Sequence, residues 1–258
     1  MNLEKVKTSL VIPVFNEELR LDSDFYTNLN KLEVDLIIFV DDGSTDKSKE
    51  AIDRLTVHLK NKIWHVLQQN RGKSEAIRQG FIQSLDLGIS IIATADADGA
   101  ISINDINSLL YQHLRIMCEL DGETIVVSSA ARVRMAGWSI YRSTKRQWIG
   151  RVIATCVNVI TDFEIYDPQS PLKCYSAPCD TFKRNLENSF KTRWFYEMEL
   201  LMRLRGDSLR HHNDLRIFER PISFFRDVPG SKLKVSHVFE VGKQLICLFN
   251  LNRDSKNN

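Results

Sequence analysis

The first half of the chain alternates short apolar runs with polar turns that contain glycine. Four apolar runs predict buried strands at positions 8–15, 34–40, 63–67 and 89–95. Runs that are apolar without alternation are typical of strands covered on both faces, as in a parallel sheet. Helical periodicity between the runs predicts a helix at 47–59 and a second one from Lys73 onward. This alternation predicts an α/β fold with a largely parallel sheet.

Each of these strands ends in a polar turn. The second strand runs into Asp41-Asp42-Gly43-Ser44, and the fourth runs into Asp96-Ala97-Asp98-Gly99. Ligands of open α/β sheets bind outside the carboxyl ends of the strands, so these turns are expected to share one edge. Two carboxylates one residue apart suit Mg²⁺ or Mn²⁺, which prefer hard oxygen ligands. Taken alone, however, such a pair is more often a polar turn that closes a strand.

The second half of the chain is less regular. Helices are predicted at 140–161, 181–188, 194–204 and 235–249, after an earlier helix that Asn104 caps and that runs to Leu114. Short strands are predicted at 124–128, 172–175, 215–220 and 222–225. No linker separates these elements from the first half, so residues 1–258 are predicted to form one domain.

Composition narrows the classes of partner. The 258 residues carry a formal net charge of +2, which argues against bulk nucleic-acid binding. The basic residues are unevenly spread, because the segment 132–151 holds six of them and no acidic residue. Such a segment suits a phosphorylated partner or a membrane surface, and a solvated helix face is an equally open alternative.

Cysteine usage and apolar content indicate the compartment. Five cysteines without a CxxC pair indicate neither a disulfide framework nor a zinc site, which favours a reduced, cytoplasmic compartment. The N-terminus lacks the apolar core of a signal peptide. No run reaches the roughly 18 apolar residues that a membrane span requires. The chain is therefore expected to be soluble or peripheral on the cytoplasmic face of a membrane.

Three strand-end motifs, in this order, resemble those of the inverting nucleotide-sugar glycosyltransferases of family 2. They are Asp41-Asp42-Gly43-Ser44-Thr45-Asp46, Asn70-Arg71-Gly72-Lys73 and Asp96-Ala97-Asp98-Gly99. Further segments at 167–173, 193–201 and 228–233 narrow the resemblance to dolichyl-phosphate β-glucosyltransferases and related polyprenyl-phosphate sugar synthases. The resemblance covers residues 8–249. It implies the GT-A fold, in which a Rossmann-like, mostly parallel mixed sheet is flanked by helices.

The resemblance also implies a donor site in residues 8–130, the nucleotide-sugar-binding half. Asp98, with Asp96 beside it, would hold Mg²⁺ or Mn²⁺ against the diphosphate of a UDP-sugar. Asp42 would accept a hydrogen bond from the uracil N–H, while Asp41 caps its own turn. Lys73, at a helix start, would contact the nucleotide phosphates, although a surface lysine is the alternative. The remaining nucleotide-sugar contacts would come from Pro13, Val14, Phe15, Glu17 and Ala97.

An acceptor site is implied in residues 131–250, the acceptor-binding half. Glu197 stands where the family has a base-like Asp, and the longer side chain leaves its role open. Asp167 and Glu199 are the alternatives, and Asp167 is as well suited to bracing the site. Three arginines are candidates for binding an acceptor phosphate, with two lysines behind them: Arg132, Arg142, Arg146, Lys173 and Lys232. Arg142 and Arg146, four residues apart, are predicted to share one helical face.

The chain departs from the family pattern at the acceptor. Ser170-Pro171-Leu172 replaces a Cys-Gly-Phe sequence, and Pro171 stiffens a position that glycine leaves free. A lipid acceptor would need a docking surface. The candidates are Trp138, Ile140, Tyr141 and Trp148, or Leu245, Ile246, Leu248 and Phe249 of the last helix. The alternative for these side chains is ordinary core.

The prediction is an inverting, metal-dependent transferase that moves a hexose, with glucose favoured, from a UDP-sugar to a polyprenyl phosphate. A glycan or glycolipid acceptor is the first alternative. A non-catalytic nucleotide-sugar-binding protein is the second, and the intact aspartates argue against it. A nucleotidyltransferase would be expected to have a glycine-rich basic loop after the first strand, which Phe15-Asn16-Glu17-Glu18 is not.

Overall fold

The computed structural model describes residues 6–120, 122–228 and 238–257. In this part of the chain the strands are β1 (Thr8–Val14), β2 (Leu36–Asp41), β3 (Lys62–Val66), β4 (Ile91–Thr94), β5 (Ile125–Ala131), β6 (Ser139–Tyr141), β7 (Lys173–Ser176), β8 (Leu215–Pro221) and β9 (Phe224–Arg226). The helices are α1 (Ser23–Thr27), α2 (Ser48–Leu55), α3 (Lys73–Asp86), α4 (Ile103–Glu119), α5 (Thr144–Thr161), α6 (Cys179–Leu186), α7 (Tyr196–His211) and α8 (Val238–Asn257).

Seven strands form one mixed sheet in the order β3-β2-β1-β4-β7-β5-β8. The pairs among β3, β2, β1 and β4 are parallel, and so is β5 with β8. Strand β7 runs antiparallel to its neighbours β4 and β5. A second, two-stranded parallel sheet joins β6 to β9. The predicted α/β fold with a mostly parallel mixed sheet flanked by helices is confirmed.

The core lies on both faces of the sheet because alternate residues of each strand point to opposite sides. On one face, Leu10 and Ile12 of β1 pack with Phe39 of β2 and with residues of α1, α2 and α4. On the other face, Val11 packs with Phe81 of α3 and with residues of α5 to α8. Helix α3 approaches β1 very closely, since a Cβ at Gly80 would lie 2.3 Å from Val11. This packing sets the start of α3 beside the carboxyl end of β1.

Several element boundaries differ from those predicted. Ser102, not Asn104, caps α4, because its hydroxyl accepts from the Asp105 N–H at 3.1 Å. The helix predicted at 140–161 begins only at Thr144, since residues 139–141 pair with β9 as strand β6. Arg142 therefore precedes the helix, and the prediction that it shares a helical face with Arg146 is wrong.

Two further differences lie at α1 and at the last helix. Helix α1 was not predicted, although Asp22 caps it by accepting from the Phe25 N–H at 3.0 Å. The last helix continues eight residues beyond the predicted end at Phe249, to Asn257. The start predicted for it at 235 and the loop predicted at 229–231 lie outside the described residues. No described helix combines the length and the apolar character needed to cross a bilayer.

Candidate active site

The carboxyl ends of β1, β2 and β4 bring the predicted turns to one edge of the sheet. Val14 at the end of β1 is paired in register with Asp41 at the end of β2. Asp41 Oδ1 accepts from the Ser44 N–H at 2.9 Å, which is the capping contact expected of it. Gly43 has a φ of 72°, and a Cβ there would lie 2.8 Å from the backbone of Gln69 and Asn70. Only glycine therefore lets this turn approach the loop that leads to Lys73.

The loop after β1 is joined to the turn after β2 by three backbone N–H groups. Those of Asn16, Glu17 and Glu18 donate to Ser44 Oγ, Ser48 Oγ and Asp46 Oδ2 at 3.0, 2.7 and 3.1 Å. Pro13, Val14 and Phe15 lead into this loop, with Val14 buried and the other two half-buried. The predicted nucleoside-binding segment is thus held rigidly beside Asp42.

Asp42 is buried beneath the loop that precedes α3. Its two oxygens accept from the backbone N–H groups of Arg71 and Gly72 at 2.7 and 2.8 Å. Burial raises the pKa of Asp42, and these two amides partly offset the effect. Each oxygen retains a second lone pair, which is able to accept a hydrogen bond from a uracil N–H. This contact remains a prediction.

The two aspartates after β4 each hold a cation of the chain itself. Asp96 Oδ1 lies 2.5 Å from Lys73 Nζ, and Asp98 Oδ2 lies 3.0 Å from an Arg20 nitrogen. Arg20 also binds Glu17 Oε2 at 2.7 Å. The Lys73 side chain is 42% exposed, so this ion pair faces the open edge of the site.

The pKa values of the two aspartates are shifted in opposite directions. Burial opposes ionisation of Asp96, but Lys73, Arg132 and Arg20 hold its pKa below the usual value. Burial, and then the charge of Asp96, raise the pKa of Asp98 to about 6. A carboxylate whose charge is disfavoured in this way gains from a nearby cation.

The backbone of this turn is fixed by buried side chains. The Tyr26 hydroxyl donates to the Ala97 carbonyl at 2.7 Å, and burial raises the pKa of Tyr26 well above its usual value. Gly99 has a φ of 67°, and a Cβ there would lie 2.8 Å from Phe25 Cβ. Pro171, the residue that departs from the family pattern, lines a small cavity with Asp96.

The donor set fits a hard divalent cation. Asp96 and Asp98 offer carboxylate oxygens on one fixed turn, and burial together with the charge of Asp96 raises the pKa of Asp98, so a cation bound there would stabilise its ionised form. These two residues would hold the ion, and the diphosphate of a bound nucleotide would supply further oxygens.

Arg132 and Asp167 form a bidentate, largely buried ion pair. Arg132 donates to the two Asp167 oxygens at 2.7 and 2.8 Å and to the Gln169 carbonyl at 2.9 Å. Burial opposes the charge of Asp167, but Arg132 lowers its pKa to about 2. These contacts give Asp167 a bracing role and take up most of the donor capacity of Arg132.

Lys173 and Glu197 form a second buried pair. Lys173 Nζ lies 3.5 Å from Glu197 Oε1 and donates to the Ser170 and Pro168 carbonyls at 2.7 and 3.2 Å. Burial lowers the pKa of Lys173, while Glu197 opposes that shift. The charge of Glu197 also raises the pKa of Lys73. The Lys173–Glu197 pair therefore lies within electrostatic range of the sheet edge formed by the carboxyl ends of β1, β2 and β4.

Glu199, an alternative to Glu197, is committed to the fold. Its oxygens accept from the Lys191 N–H, from the N–H and hydroxyl of Thr192, and from Arg203 at 2.6 Å. Four donors therefore satisfy a carboxylate that is almost completely buried. These contacts hold the loop that precedes α7, and α7 is the helix that carries Glu197.

The half-buried Arg142 has no ion-pair partner among the described residues, although Asp167 and Asp227 act on it electrostatically. Within residues 6–120, 122–228 and 238–257 its guanidinium forms no hydrogen bond or ion pair, and its buried Nε lacks a partner. Burial, and then the charge of Arg132, lower the pKa of Arg142 to about 10. Arg146, by contrast, pairs with Asp227 at 3.1 Å. Lys232 and most of the 228–233 segment lie outside the described residues.

Sequence reasoning missed Arg20 and Tyr26. Arg20 had a signal, because it is the basic residue of the loop after β1 and stands three residues after Glu17. Tyr26 gave none, since nothing in the sequence shows that its hydroxyl reaches the Ala97 carbonyl.

Comparisons with known proteins identify the family. A model described as Glycosyl transferase family 2 matches residues 9–165. A dolichyl-phosphate beta-glucosyltransferase of Trichomonas vaginalis is 28% identical over 250 residues, which are 93% of this chain and 72% of the relative. The dolichyl-phosphate beta-glucosyltransferase of Saccharomyces cerevisiae is 26% identical and covers 98% of this chain and 78% of its own length. The predicted resemblance is confirmed.

Solved structures agree on the fold. Glucosyl-3-phosphoglycerate synthase from Mycobacterium tuberculosis, in complex with Mn²⁺, UDP and phosphoglyceric acid, has a TM-score of 0.61. The match covers 95% of this chain and 78% of that structure, at 15% identity. At this identity the likeness supports the GT-A fold alone. Together with the family match, it means that the chain is a glycosyltransferase and belongs to glycosyltransferase family 2.

Proposed function

We propose that the chain transfers glucose from UDP-glucose to a polyprenyl phosphate, with inversion and with Mg²⁺ or Mn²⁺. The observation that carries the acceptor class is the unpaired guanidinium of Arg142, between Arg132 and Arg146. A partly buried cation without a counter-ion is destabilising unless a ligand supplies the charge, and guanidinium groups bind phosphate bidentately. The likeness to dolichyl-phosphate beta-glucosyltransferases over nearly the whole chain supports the same acceptor.

Donor binding is assigned to the edge formed by β1, β2 and β4. Asp98 and Asp96 would hold the divalent ion, which when bound neutralises the charge that develops on the leaving diphosphate. The related GT-A structures that contain Mn²⁺ or Mg²⁺ with UDP support this assignment. Lys73, released from Asp96, is proposed to contact the diphosphate, and Asp42 to accept from the uracil N–H. The predicted donor-binding and acceptor-binding halves, 8–130 and 131–250, are retained as part of this proposal.

The proposed reaction is a single displacement. A phosphate oxygen of the acceptor attacks the anomeric carbon, the bond from that carbon to the β-phosphate oxygen breaks, and UDP leaves. Because a phosphate monoester is already ionised near neutral pH, no residue has to remove a proton. Glu197, which lies 3.5 Å from Lys173 Nζ, is proposed to orient the sugar or acceptor rather than to act as a general base.

Membrane docking is assigned to the outer face of α5. Trp148, Ile149 and Val152 are 70%, 59% and 62% exposed, and they form an apolar stripe next to the arginines. Tyr141 of β6 is also 62% exposed, whereas Ile140 and Leu248 are buried, which is the core alternative stated for them. An apolar stripe beside basic residues is typical of a helix at a membrane interface. We propose that the protein acts as a peripheral protein on the cytoplasmic face of a membrane and has no nucleic-acid partner.

An acceptor comparison tests the proposal. The purified chain would be incubated with labelled UDP-glucose, Mn²⁺ or Mg²⁺, and either dolichyl phosphate, undecaprenyl phosphate or an oligosaccharide. Label in a lipid product with β configuration, lost in the presence of EDTA, is the expected result.

Other outcomes select the alternatives. Transfer to the oligosaccharide without transfer to either lipid phosphate would replace the acceptor with a glycan. Binding of UDP-glucose by calorimetry, with no transfer to any acceptor, would favour a nucleotide-sugar-binding protein.

A further inference from the structure

Arg20 lies where the loop after β1 meets the turn after β4. One terminal nitrogen donates to Glu17 Oε2 at 2.7 Å, and the other donates to Asp98 Oδ2 at 3.0 Å. The Arg20 backbone N–H closes the same loop by donating to the Glu17 carbonyl at 2.8 Å. The side chain is 19% exposed, so the guanidinium is fixed between two carboxylates and largely shielded from water.

Both oxygens of Asp98 are engaged in this arrangement. Oδ1 accepts from the Ala100 N–H at 3.2 Å, and Oδ2 accepts from Arg20. A divalent cation that binds Asp98 would meet a positive charge that is already hydrogen-bonded to its ligand. Two positive charges that share one carboxylate in a partly shielded site repel each other. Arg20 and the metal ion therefore compete for one carboxylate.

We propose that Arg20 is a tethered counter-ion, which neutralises Asp98 before the divalent cation binds and is then displaced onto Glu17. This inference rests on the proposed metal site at Asp98. Different terminal nitrogens of Arg20 reach the two carboxylates, so the contact with Asp98 can break while the contact with Glu17 persists. Arg20 is thus a positioning residue that lowers the affinity of the protein for metal.

The Lys73–Asp96 pair is arranged in the same way at the other aspartate. In the structure each aspartate of the turn is ion-paired to one side chain from a different loop. Arg20 differs from Lys73 because the Glu17 carboxylate is already hydrogen-bonded to its guanidinium and would hold it after release from Asp98. Displacement of Arg20 is therefore expected to leave the loop after β1 in place.

Mn²⁺ binding tests the inference without reference to activity. Free Mn²⁺ would be followed by electron paramagnetic resonance, with and without UDP, for the wild type, Arg20→Gln and Arg20→Lys. Arg115→Gln is the matched control, because it removes an arginine from an exposed ion pair with Glu119 on α4. Arg20→Gln is expected to bind Mn²⁺ about five- to tenfold more tightly, since the metal no longer has to break the ion pair.

Arg20→Lys separates displacement from a general effect of charge. Lysine keeps the charge but cannot bridge two carboxylates through separate fixed nitrogens, so an intermediate Mn²⁺ affinity is expected. Equal affinities of Arg20→Lys and the wild type would overturn the inference, because only the charge would then matter. Arg115→Gln is expected to match the wild type.

The outcomes distinguish this inference from the metal site itself. If the wild type binds Mn²⁺ and Arg20→Gln binds no more tightly, the counter-ion role is wrong while the metal site stands. If neither binds Mn²⁺ in the presence of UDP, the metal site at Asp98 is wrong and the inference fails with it. Asp98→Ala provides the reference for lost binding. Melting temperatures in EDTA show whether each variant folds, and Arg20→Lys carries the test if Arg20→Gln does not.

Discussion

The donor edge and the acceptor side of this protein differ in how completely their charges are paired. At the donor edge, Asp42 accepts hydrogen bonds from two backbone amides. Asp96 and Asp98 form ion pairs with Lys73 and Arg20. On the acceptor side, Arg142 has a buried Nε without a partner, and α5 exposes apolar side chains. The donor edge is therefore organised before any ligand binds, whereas on the acceptor side the Arg142 guanidinium has no ion-pair partner in the part of the chain that the structure describes.

The largest effect is expected at the donor edge. Asp98→Ala should reduce sugar transfer by about 10³-fold or more, because the metal ion it would hold contributes several kcal/mol to the transition state. Transfer of labelled glucose, with a circular-dichroism melting curve to confirm folding, measures this. Asp86→Ala is the control, since Asp86 is an exposed carboxylate at the far end of α3. Wild-type activity in EDTA would contradict the role of the metal.

The two regions also differ in how far the sequence predicted them. The turn motifs of the donor edge follow from local chemistry, because Asp41, Gly43 and the Asp96–Asp98 pair act within a few residues of their own strand. The partners of these residues could not be predicted, since Lys73 and Arg20 reach the aspartates only through the packing of α3 and the loop after β1. The order of β1 to β4 with α2 and α3 was therefore predictable, whereas helix α1 and the ion pairs were not.

On the acceptor side, the failures come from contacts between distant segments. The 140–161 segment has the periodicity of one helix. In the structure Ile140 pairs with Phe225 of β9, so residues 139–141 form a strand and the helix begins only at Thr144. The 132–151 segment looked uniformly basic, and only the fold separates Arg132, which Asp167 binds, from Arg142. Local patterns carry no information about such pairing, because it is decided by residues 35 or more positions away.

The second prediction concerns the unpaired arginine. Arg142→Gln should lower kcat/KM for a polyprenyl phosphate by about 10- to 100-fold, because a charge-assisted contact to phosphate is lost. The free energy of unfolding should rise by up to about 1 kcal/mol, since a partly buried charge without an ion-pair partner is removed. Acceptor kinetics and urea unfolding measure the two effects. Arg115→Gln, on an exposed helix face, should change neither. A loss of stability without a change in acceptor kinetics would make Arg142 structural.

The third prediction tests whether Glu197 acts as a base. Glu197→Gln should reduce transfer to a polyprenyl phosphate by about tenfold or less, because the attacking phosphate oxygen is already ionised. With a hydroxyl acceptor, loss of a general base would reduce transfer by about 10²- to 10⁴-fold. Comparing both acceptors in the same variant cancels any disturbance of the Lys173 pair. A loss of about 10²-fold or more with the lipid phosphate would restore the base role.

Glu199→Gln is the matched control for that variant, because the two glutamates lie in the same first turn of α7. Its carboxylate holds Lys191, Thr192 and Arg203, so its main effect should be on the fold. The free energy of unfolding is expected to fall by about 2–3 kcal/mol, as for other buried charged hydrogen bonds. Urea unfolding of both variants separates a structural glutamate from a functional one.

The last prediction concerns pH and not transfer, and it lies where α4 meets β5 and β7, at the completely buried His113. Its Nδ1 lies 2.9 Å from Ser128 Oγ of β5, and its Nε2 lies 3.0 Å from Ser176 Oγ of β7. Burial lowers the pKa of His113 to about 3. The folded protein therefore keeps this ring neutral at pH values where the unfolded chain takes up a proton.

The sign of the pH dependence follows from that difference. Between pH 7 and pH 5 the unfolded chain binds more protons at this residue, so the free energy of unfolding should fall by about 2 kcal/mol from His113 alone. His113→Gln should be less stable than the wild type at pH 7, because the two serine contacts are weakened. Between pH 7 and pH 5, however, its stability should decline by about 2 kcal/mol less. Urea unfolding at both pH values measures this difference, and equal declines in the two proteins would show that the folded protein does not keep His113 neutral.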